Sequence, residues 1–374
     1  MKKFLLNSAI ILGFFLLFGA VLVVLLTGGE LMGESTVELE EAVQEEVGLT
    51  RNVEELNEMS EDIKANVDVV SDWPVYILYA LNVHDWVHPE ESASTVRRVI
   101  LLHEQYDIPI EVFVTDPLFQ WYVENDSDLV ELMRSSEMVS MSYHIRVPYP
   151  YYQNFDWYGL SELETGEREE ILLGYEEHRL DLETGFYTDA PGGYQFMKDT
   201  IGYAPRIVGI FDSQVGGQVL ANIYKEKGVE FIVQHNKLVH IGDQKYGIYA
   251  RPEHYDLKIY EYAQGDHTAE EIFETITEKM IYDHPQFIGV KYHENNFYHD
   301  DNPWYGVFWE NGKTRKGPKS PPYDLSMSFD DFRTEEEVAN HWELYEESLR
   351  YIKERPEEYK ALNAVGLLEE FEWE

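Results

Sequence analysis

The stretch VYILYALNVHD, residues 75–85, combines a long apolar and aromatic run with two polar residues, His84 and Asp85. A continuous run of this kind is typical of a strand that is buried on both faces of a sheet. Histidine also follows three other apolar runs, residues 138–143, 229–234 and 287–292, as His144, His235 and His293. Loops at the carboxyl ends of strands converge on one face in folds built from β-α units. The pattern therefore predicts a site assembled from these loops.

Helical periods separate the apolar runs. After the first run, Val96, Val99, Ile100 and His103 recur at helical spacing, and residues 108–114 form the next strand-like run. We expect His103 to be a buried core histidine. Capping boxes starting at residues 268 and 334 predict two further helices. Strands that alternate with helices predict an α/β fold with a mainly parallel sheet, either open or closed into a barrel.

The amino-terminal segments differ in composition from the rest of the chain. Two lysines precede an apolar run, residues 4–26, which is long enough to span a bilayer. We expect residues 1–29 to be an uncleaved single-pass anchor in the cell membrane, in preference to a cleaved signal, with the rest of the chain extracytoplasmic. The glutamate-rich residues 30–72 predict an acidic stalk. Residues 73–333 then form the barrel domain, and residues 334–374 form a helical segment that packs on it.

The net charge of the chain indicates which classes of partner it can bind. The formal net charge is −42 over 374 residues, which disfavours nucleic acid as a partner and leaves a neutral or cationic polymer open. An acidic surface that serves only solubility is the alternative interpretation. The chain contains no cysteine, so a bound metal would need His, Asp or Glu ligands.

The residues after the strands suggest metal chemistry. Asp85 and His144, with His88, His84 or His293 as a third ligand, could hold zinc or another divalent ion that activates water. His293 could act as a general acid, and Glu294 could act as a general base. The alternative is that these residues only satisfy the backbone groups of turns.

A segment rich in arginine, proline and tyrosine, HIRVPYPYY, follows the second of these strands at residues 144–152. Tyr149 and Tyr151 could stack on sugar rings, and Arg146 could pair with a carboxylate. Tyr194, at the end of a tight turn, could also approach a ligand. A purely structural role is open for each tyrosine.

The order of elements resembles the NodB-type polysaccharide deacetylase superfamily over residues 75–298. The resemblance is carried by STVRRVILLHEQYDIPIEVFVT, PGGY, GYAPRIVGIF and KEKGVEFIV, at residues 94–115, 191–194, 202–211 and 225–233. It implies a distorted (β/α)7-type barrel. It also implies a zinc or other divalent ion held by one aspartate and two histidines, with a second aspartate as the base and a late histidine as the acid.

Residue by residue, the resemblance matches Asp85 to the metal-binding aspartate, His144 to the first metal-binding histidine and His293 to the late histidine. His84 stands where the family has its catalytic aspartate. Pro148 stands where the family has a second metal-binding histidine, so His84, His88 or a residue elsewhere in the chain would have to supply the third ligand.

These patterns together predict a membrane-anchored, exported hydrolase. Its expected activity is the metal-dependent deacetylation of a cell-envelope or extracellular polysaccharide, with His84 or Glu294 as the base. One alternative is a glycan-binding barrel without catalytic activity. Another is glycoside hydrolysis by a carboxylate pair, such as Asp85 with Glu294, for which a separation of about 5 to 9.5 Å across an open cleft is required.

Overall fold

A computed structural model describes residues 73–209, 215–234, 238–280, 284–328 and 331–373. The predicted anchor at residues 1–29 and the predicted stalk at residues 30–72 lie outside the described residues, as does His235. These assignments stay predictions. Among the residues that the structure describes, no helix has the length and apolar character needed to cross a membrane.

Most strands of the described chain belong to one sheet. The strands are β1 (Val75–Val83), β2 (Ile110–Val114), β3 (Val139–His144), β4 (His178–Leu180), β5 (Tyr187–Pro191), β6 (Ile207–Gly209), β7 (Phe231–Ile232), β8 (Gln244–Lys245), β9 (Ile248–Ala250), β10 (Tyr255–Lys258), β11 (Gln286–His293) and β12 (Tyr359–Ala361). Only β4 and β5 form a separate antiparallel pair within the described ranges.

Helices follow most strands of the sheet. They are α1 (Pro89–Tyr106), α2 (Asp116–Asn125), α3 (Ser127–Ser135), α4 (Thr165–Glu177), α5 (Gly193–Ile201), α6 (Gly217–Lys227), α7 (Ala269–Thr277), α8 (Tyr305–Phe308), α9 (Glu335–Lys353) and α10 (Ala364–Glu370). Short 3-10 helices occur at Leu160–Glu162, Ile259–Tyr262, Glu294–Phe297, Gly312–Thr314 and Leu325–Met327.

The main sheet is parallel over most of its width. Its strand order is β10-β11-β1-β2-β3-β6-β7-β9-β8, and only the edge strand β8 is antiparallel to its neighbour along this path. The first half of β1 pairs with β12 and its second half with β2. The sheet is a curled half-barrel in an α/β fold. The predicted class and the parallel sheet are therefore confirmed at this coarser level.

The carboxyl-terminal segment adds two helices, α9 and α10, and the strand β12 to the fold. Helix α9 begins with the predicted capping box of Thr334 and Glu337. Its Ser348 accepts a hydrogen bond of 3.1 Å from the Tyr79 hydroxyl, and its Tyr345 hydroxyl lies 2.7 Å from Nε2 of His103. His103 is fully buried, so its predicted place in the core is confirmed.

Candidate active site

Three of the predicted histidines meet at the carboxyl ends of strands. His84 directly follows β1, and His144 and His293 are the last residues of β3 and β11. The ring centroid of His84 lies 5.6 Å from that of His144 and 4.9 Å from that of His293. Trp304 closes the cluster, with its ring 4.6 Å from that of His84. We call His84, His144 and His293 the imidazole cluster. Strand β11 is next to β1 and β2 lies between β1 and β3, and the parallel register of these strands aligns their carboxyl ends.

Glu294 fixes the corner between β1 and α1. One of its carboxyl oxygens accepts hydrogen bonds from the backbone amides of both His84 and Asp85, and also from the Ser92 hydroxyl at 3.3 Å. Its other oxygen lies 3.8 Å from Nε2 of His84. Complete burial, and secondarily the nearby charge of Asp85, raise the pKa of Glu294 to about 8. This carboxyl is therefore largely protonated at neutral pH and acts as a positioning group.

Asp85 belongs to a different set of contacts from His84. One of its carboxylate oxygens accepts a hydrogen bond of 2.8 Å from the Tyr298 hydroxyl and lies 3.2 Å from Nδ1 of His88. The other accepts from the backbone amides of Val87 and His88, each at 3.2 Å. Side chains of consecutive extended residues point in opposite directions. Consistent with this, Asp85 contacts Tyr298 and the turn before α1, whereas His84 faces the other members of the imidazole cluster and Trp304.

The predicted metal ligands do not converge. Asp85, His144 and His88 are absent from the group of three potential ligands that the described residues bring within 4.8 Å of one another. The Asp85 carboxylate is already occupied by Tyr298, His88 and two backbone amides. This predicted donor set therefore does not fit a bound ion, because a metal would have to displace these internal hydrogen bonds.

His84 is the most deeply buried member of the imidazole cluster whose protonation the structure determines. His84 is fully buried, and neither of its ring nitrogens has a hydrogen-bond partner among the described residues. Burial lowers the pKa of His84 well below its usual value, and the proximity of Arg146, His293 and His144 lowers it further. The imidazole is therefore neutral. Its unsatisfied N–H is a potential donor to a ligand that carries negative charge.

Arg146 and His293 lie at the more accessible edge of the cluster, since both side chains are half-buried. A guanidinium nitrogen of Arg146 donates a hydrogen bond of 2.6 Å to the Tyr152 hydroxyl. The ring of Tyr260 lies 5.8 Å from that of His293. The predicted pairing of Arg146 with a carboxylate of a substrate stays a prediction.

The three tyrosines predicted to bind substrate lie in the core. Tyr149, Tyr151 and Tyr194 are all almost fully buried. The Tyr149 and Tyr194 hydroxyls donate to Asp116 at 3.3 Å and to the carbonyl of Pro205 at 3.0 Å, and the Tyr151 hydroxyl donates to Glu176. None of these rings is available to stack on a sugar in this structure, which corrects their predicted role in substrate binding.

A structural role for Tyr151 predicts a large effect on stability. Tyr151→Ala removes a buried ring and leaves the Glu176 carboxyl with one hydroxyl donor fewer, so the free energy of unfolding should fall by about 3 to 5 kcal/mol. Chemical denaturation measures this loss. Tyr151→Phe keeps the ring and should retain glycan binding. Loss of glycan binding in a fully folded Tyr151→Phe would show that the hydroxyl is used in recognition.

The carboxylate-pair alternative is not favoured by this geometry. Asp85 and Glu294 are both fully buried. Glycoside hydrolysis needs two carboxyl groups that flank an accessible bond. In addition, both groups are engaged in hydrogen bonds within the protein.

Trp304 and Tyr298 belong to the site but were not predicted from the sequence. Trp304 precedes the short helix α8, and Tyr298 follows the Glu294–Phe297 helix. Neither stands in a recognisable motif. The stretch between the Glu294–Phe297 helix and α8 has no periodic pattern, and proximity to His293 in the sequence was the one available indication.

Comparisons with known proteins found similar solved structures only at low sequence identity. No protein-family model matches the chain, and no curated protein matches it. The structure is similar to solved polysaccharide deacetylases of the CE4 family, the NodB type. A peptidoglycan deacetylase of Bacillus subtilis matches at 10% identity, with 80% of this chain and 91% of that chain covered and a TM-score of 0.35. A CE4 family pseudoenzyme of Bacillus anthracis matches at 9% identity, with 60% and 58% covered and a TM-score of 0.32.

A 4-alpha-glucanotransferase of Thermococcus litoralis also matches, at 14% identity and a TM-score of 0.47. The alignment covers 80% of this chain but only 41% of the glucanotransferase. Similarity at these identities and TM-scores gives no information on the substrate or the reaction of this chain.

Proposed function

We propose that the protein is an exported, polysaccharide-directed hydrolase that removes acyl groups at the imidazole cluster. The observation that carries this proposal is the convergence of His84, His144 and His293 beside Arg146, with the deepest imidazole neutral and without a hydrogen-bond partner among the described residues. Export and membrane anchoring rest on the apolar run at residues 4–26.

The chemistry follows from the exposure of each group. His293, at the accessible edge, takes a proton from water, and the water oxygen adds to the carbonyl carbon of an acyl ester. The Arg146 guanidinium and a ring N–H of His84 stabilise the negative charge that develops on the carbonyl oxygen. The bond to the sugar oxygen then breaks. His293 returns its proton to that oxygen, which leaves as a hydroxyl, and the acyl group leaves as a carboxylic acid.

A glycan-binding function without catalysis is the second candidate. It is favoured by the state of Asp85, whose carboxylate is fully buried and bonded to Tyr298, His88 and two backbone amides. A carboxylate held in this way supports the loop and does not reach a substrate. In this case Arg146 would bind an acidic or acylated sugar without turnover.

The proposed hydrolysis predicts a strong dependence on His293. With an O-acetylated polysaccharide as substrate, His293→Ala should lower kcat/KM for acetate release by roughly 10²-fold or more, because it removes the general base. Acetate release is measured with the purified protein. His267→Ala, at an exposed histidine outside the site, is the matched control and should keep full activity.

The same preparation separates the two candidates. Polysaccharide binding that is lost in Arg146→Ala, with no acetate release from the parent protein, would favour the glycan-binding function. Equal acetate release from the parent and His293→Ala would refute the proposed mechanism.

A further inference from the structure

A second histidine cluster lies at the opposite end of the parallel strands. His254 directly precedes β10, and His284 lies two residues before β11, so both stand at the amino ends of strands whose carboxyl ends face the imidazole cluster. His240 joins them, and one potential ligand atom from each of the three residues lies within 4.8 Å of the others. The ring centroids are separated by 4.8, 5.1 and 5.2 Å.

We propose that His240, His254 and His284 form a binding site for zinc or a similar imidazole-preferring divalent ion, which stabilises this end of the fold. Three imidazoles that leave the remaining positions to water or another ligand are a donor set that suits Zn²⁺. The site is separate from the predicted Asp85, His144 and His88 set and is independent of the proposed hydrolysis.

The backbone holds the ligands in place before any ion binds. Val239 and Glu253 pair in an antiparallel bridge with amide-to-carbonyl distances of 2.9 and 3.0 Å, and His240 and His254 are the residues that directly follow them. The amide of His254 donates to the carbonyl of Phe287 on β11 at 2.9 Å. The backbone of two ligands is thus held by this isolated bridge and by the bond to β11, which lowers the entropic cost of assembling the site.

The distances are compatible with a bound ion. Nε2 of His254 lies 3.0 Å from Nδ1 of His240. Ligand nitrogens around a tetrahedral zinc ion, with bonds of about 2.0 to 2.1 Å, are roughly 3.3 to 3.4 Å apart. A small movement of the rings therefore accommodates the ion. Asp243, whose carboxylate accepts from the amide of His240 at 2.8 Å, adds negative charge beside the site.

Metal binding changes one hydrogen bond. Nδ1 of His254 accepts from the amide of Phe287 at 3.0 Å, so the ring proton is on Nε2, the atom that faces His240. Coordination through Nε2 moves this proton to Nδ1 and displaces the amide of Phe287. We therefore expect weaker zinc binding than at a site whose ligands are all oriented by compatible partners.

Metal content and thermal unfolding test the proposal, with tag-free protein because a histidine tag binds zinc. The parent domain should take up about one zinc ion per chain, and added zinc should raise its Tm reversibly. His240→Ala and His284→Ala should each weaken zinc binding roughly tenfold or more by calorimetry, because each removes one of three ligands. His267→Ala is the control and should bind zinc like the parent.

A double variant, His84→Ala with His144→Ala, tests whether the zinc ion binds at the imidazole cluster and not at His240, His254 and His284. It should retain the zinc ion and the rise in Tm. Loss of zinc in this variant, with unchanged binding in His240→Ala and His284→Ala, would overturn the proposal. So would a folded parent that takes up no zinc. His240→Gln provides a variant of closer size if His240→Ala fails to fold.

Discussion

Replacement of Glu294 by alanine is expected to lower the free energy of unfolding by about 3 to 5 kcal/mol. The substitution leaves the buried amides of His84 and Asp85 without an acceptor, and each unsatisfied buried donor costs about 1 to 3 kcal/mol. The hydroxyl of Ser92 loses an acceptor as well. Because the two amides form the corner after β1, His84 should also lose its fixed position. Denaturant unfolding and acetate release measure the two effects.

Glu294→Gln is the informative companion variant. Glutamine keeps the carbonyl oxygen that the two amides require and is neutral, as the Glu294 carboxyl largely is at neutral pH with a pKa of about 8. Its stability at pH 7 should lie close to that of the parent. Glu226→Ala, at an exposed glutamate on α6, is the control and should leave the stability nearly unchanged. Equal losses of stability in Glu294→Ala and Glu294→Gln would show that the oxygen acceptor has no structural role.

The sequence predicted the centre of the sheet well because its strands are long and buried on both faces. The prediction for β1 agrees with the structure at both ends, and those for β2, β3 and β11 agree to within two residues. The predicted strand at residues 229–234 is only β7, Phe231–Ile232. Short strands such as β8, β9 and β10 were missed, since two to four residues do not establish a period of two.

The first residues of two helices were predicted because capping side chains mark them in the sequence. Both capping boxes, at Thr268 and Thr334, are present. Helix α4, Thr165–Glu177, by contrast ends without a capping side chain, and the chain continues directly into β4. Capping is local chemistry that a sequence displays, whereas the end of α4 depends on the antiparallel pairing of β4 with β5.

The candidate site was predicted in its location and only partly in its contacts. Residues after β1, β3 and β11 meet as expected because parallel strands in register end together. The separation of Asp85 from His84 depends on which way each side chain points. The core position of Tyr149 depends on its bond to Asp116, a residue with no sequence signal of its own. Such partners are set by tertiary packing.

Four buried carboxyls determine how stability depends on pH. Burial is the main cause that raises the pKa of Asp116 to about 6, of Glu111 and Glu176 to about 7 and of Glu294 to about 8. In the unfolded chain these groups lose their protons near pH 4. Between that pH and its own folded pKa, each carboxyl keeps a proton only in the folded state. Stability therefore falls as pH rises through this interval.

Buried histidines act in the opposite sense at lower pH. Burial lowers the pKa of His103 and His341 to about 3 and that of His254 to about 4. Between these values and about pH 6.5 the unfolded chain binds protons that the folded chain does not, so stability rises with pH. Below about pH 6.5 the effects of the buried carboxyls and of the buried histidines on stability largely cancel. Above about pH 6.5 only the carboxyls make stability depend on pH.

The resulting prediction is a fall in Tm on the alkaline side of neutrality. From pH 6.5 to 8.5 the Tm should drop on the order of 5 to 10 °C, since each carboxyl contributes on the order of 1 kcal/mol per pH unit up to its folded pKa. Glu294→Gln should flatten this slope most between pH 7 and 8, and exposed Glu226→Gln should not change it. Repulsion among surface carboxylates cannot produce the same profile, because those groups are already ionised at pH 6.5 and their repulsion is screened by salt. A slope that disappears at high salt, or that persists unchanged in Glu294→Gln, would contradict the assignment to buried carboxyls.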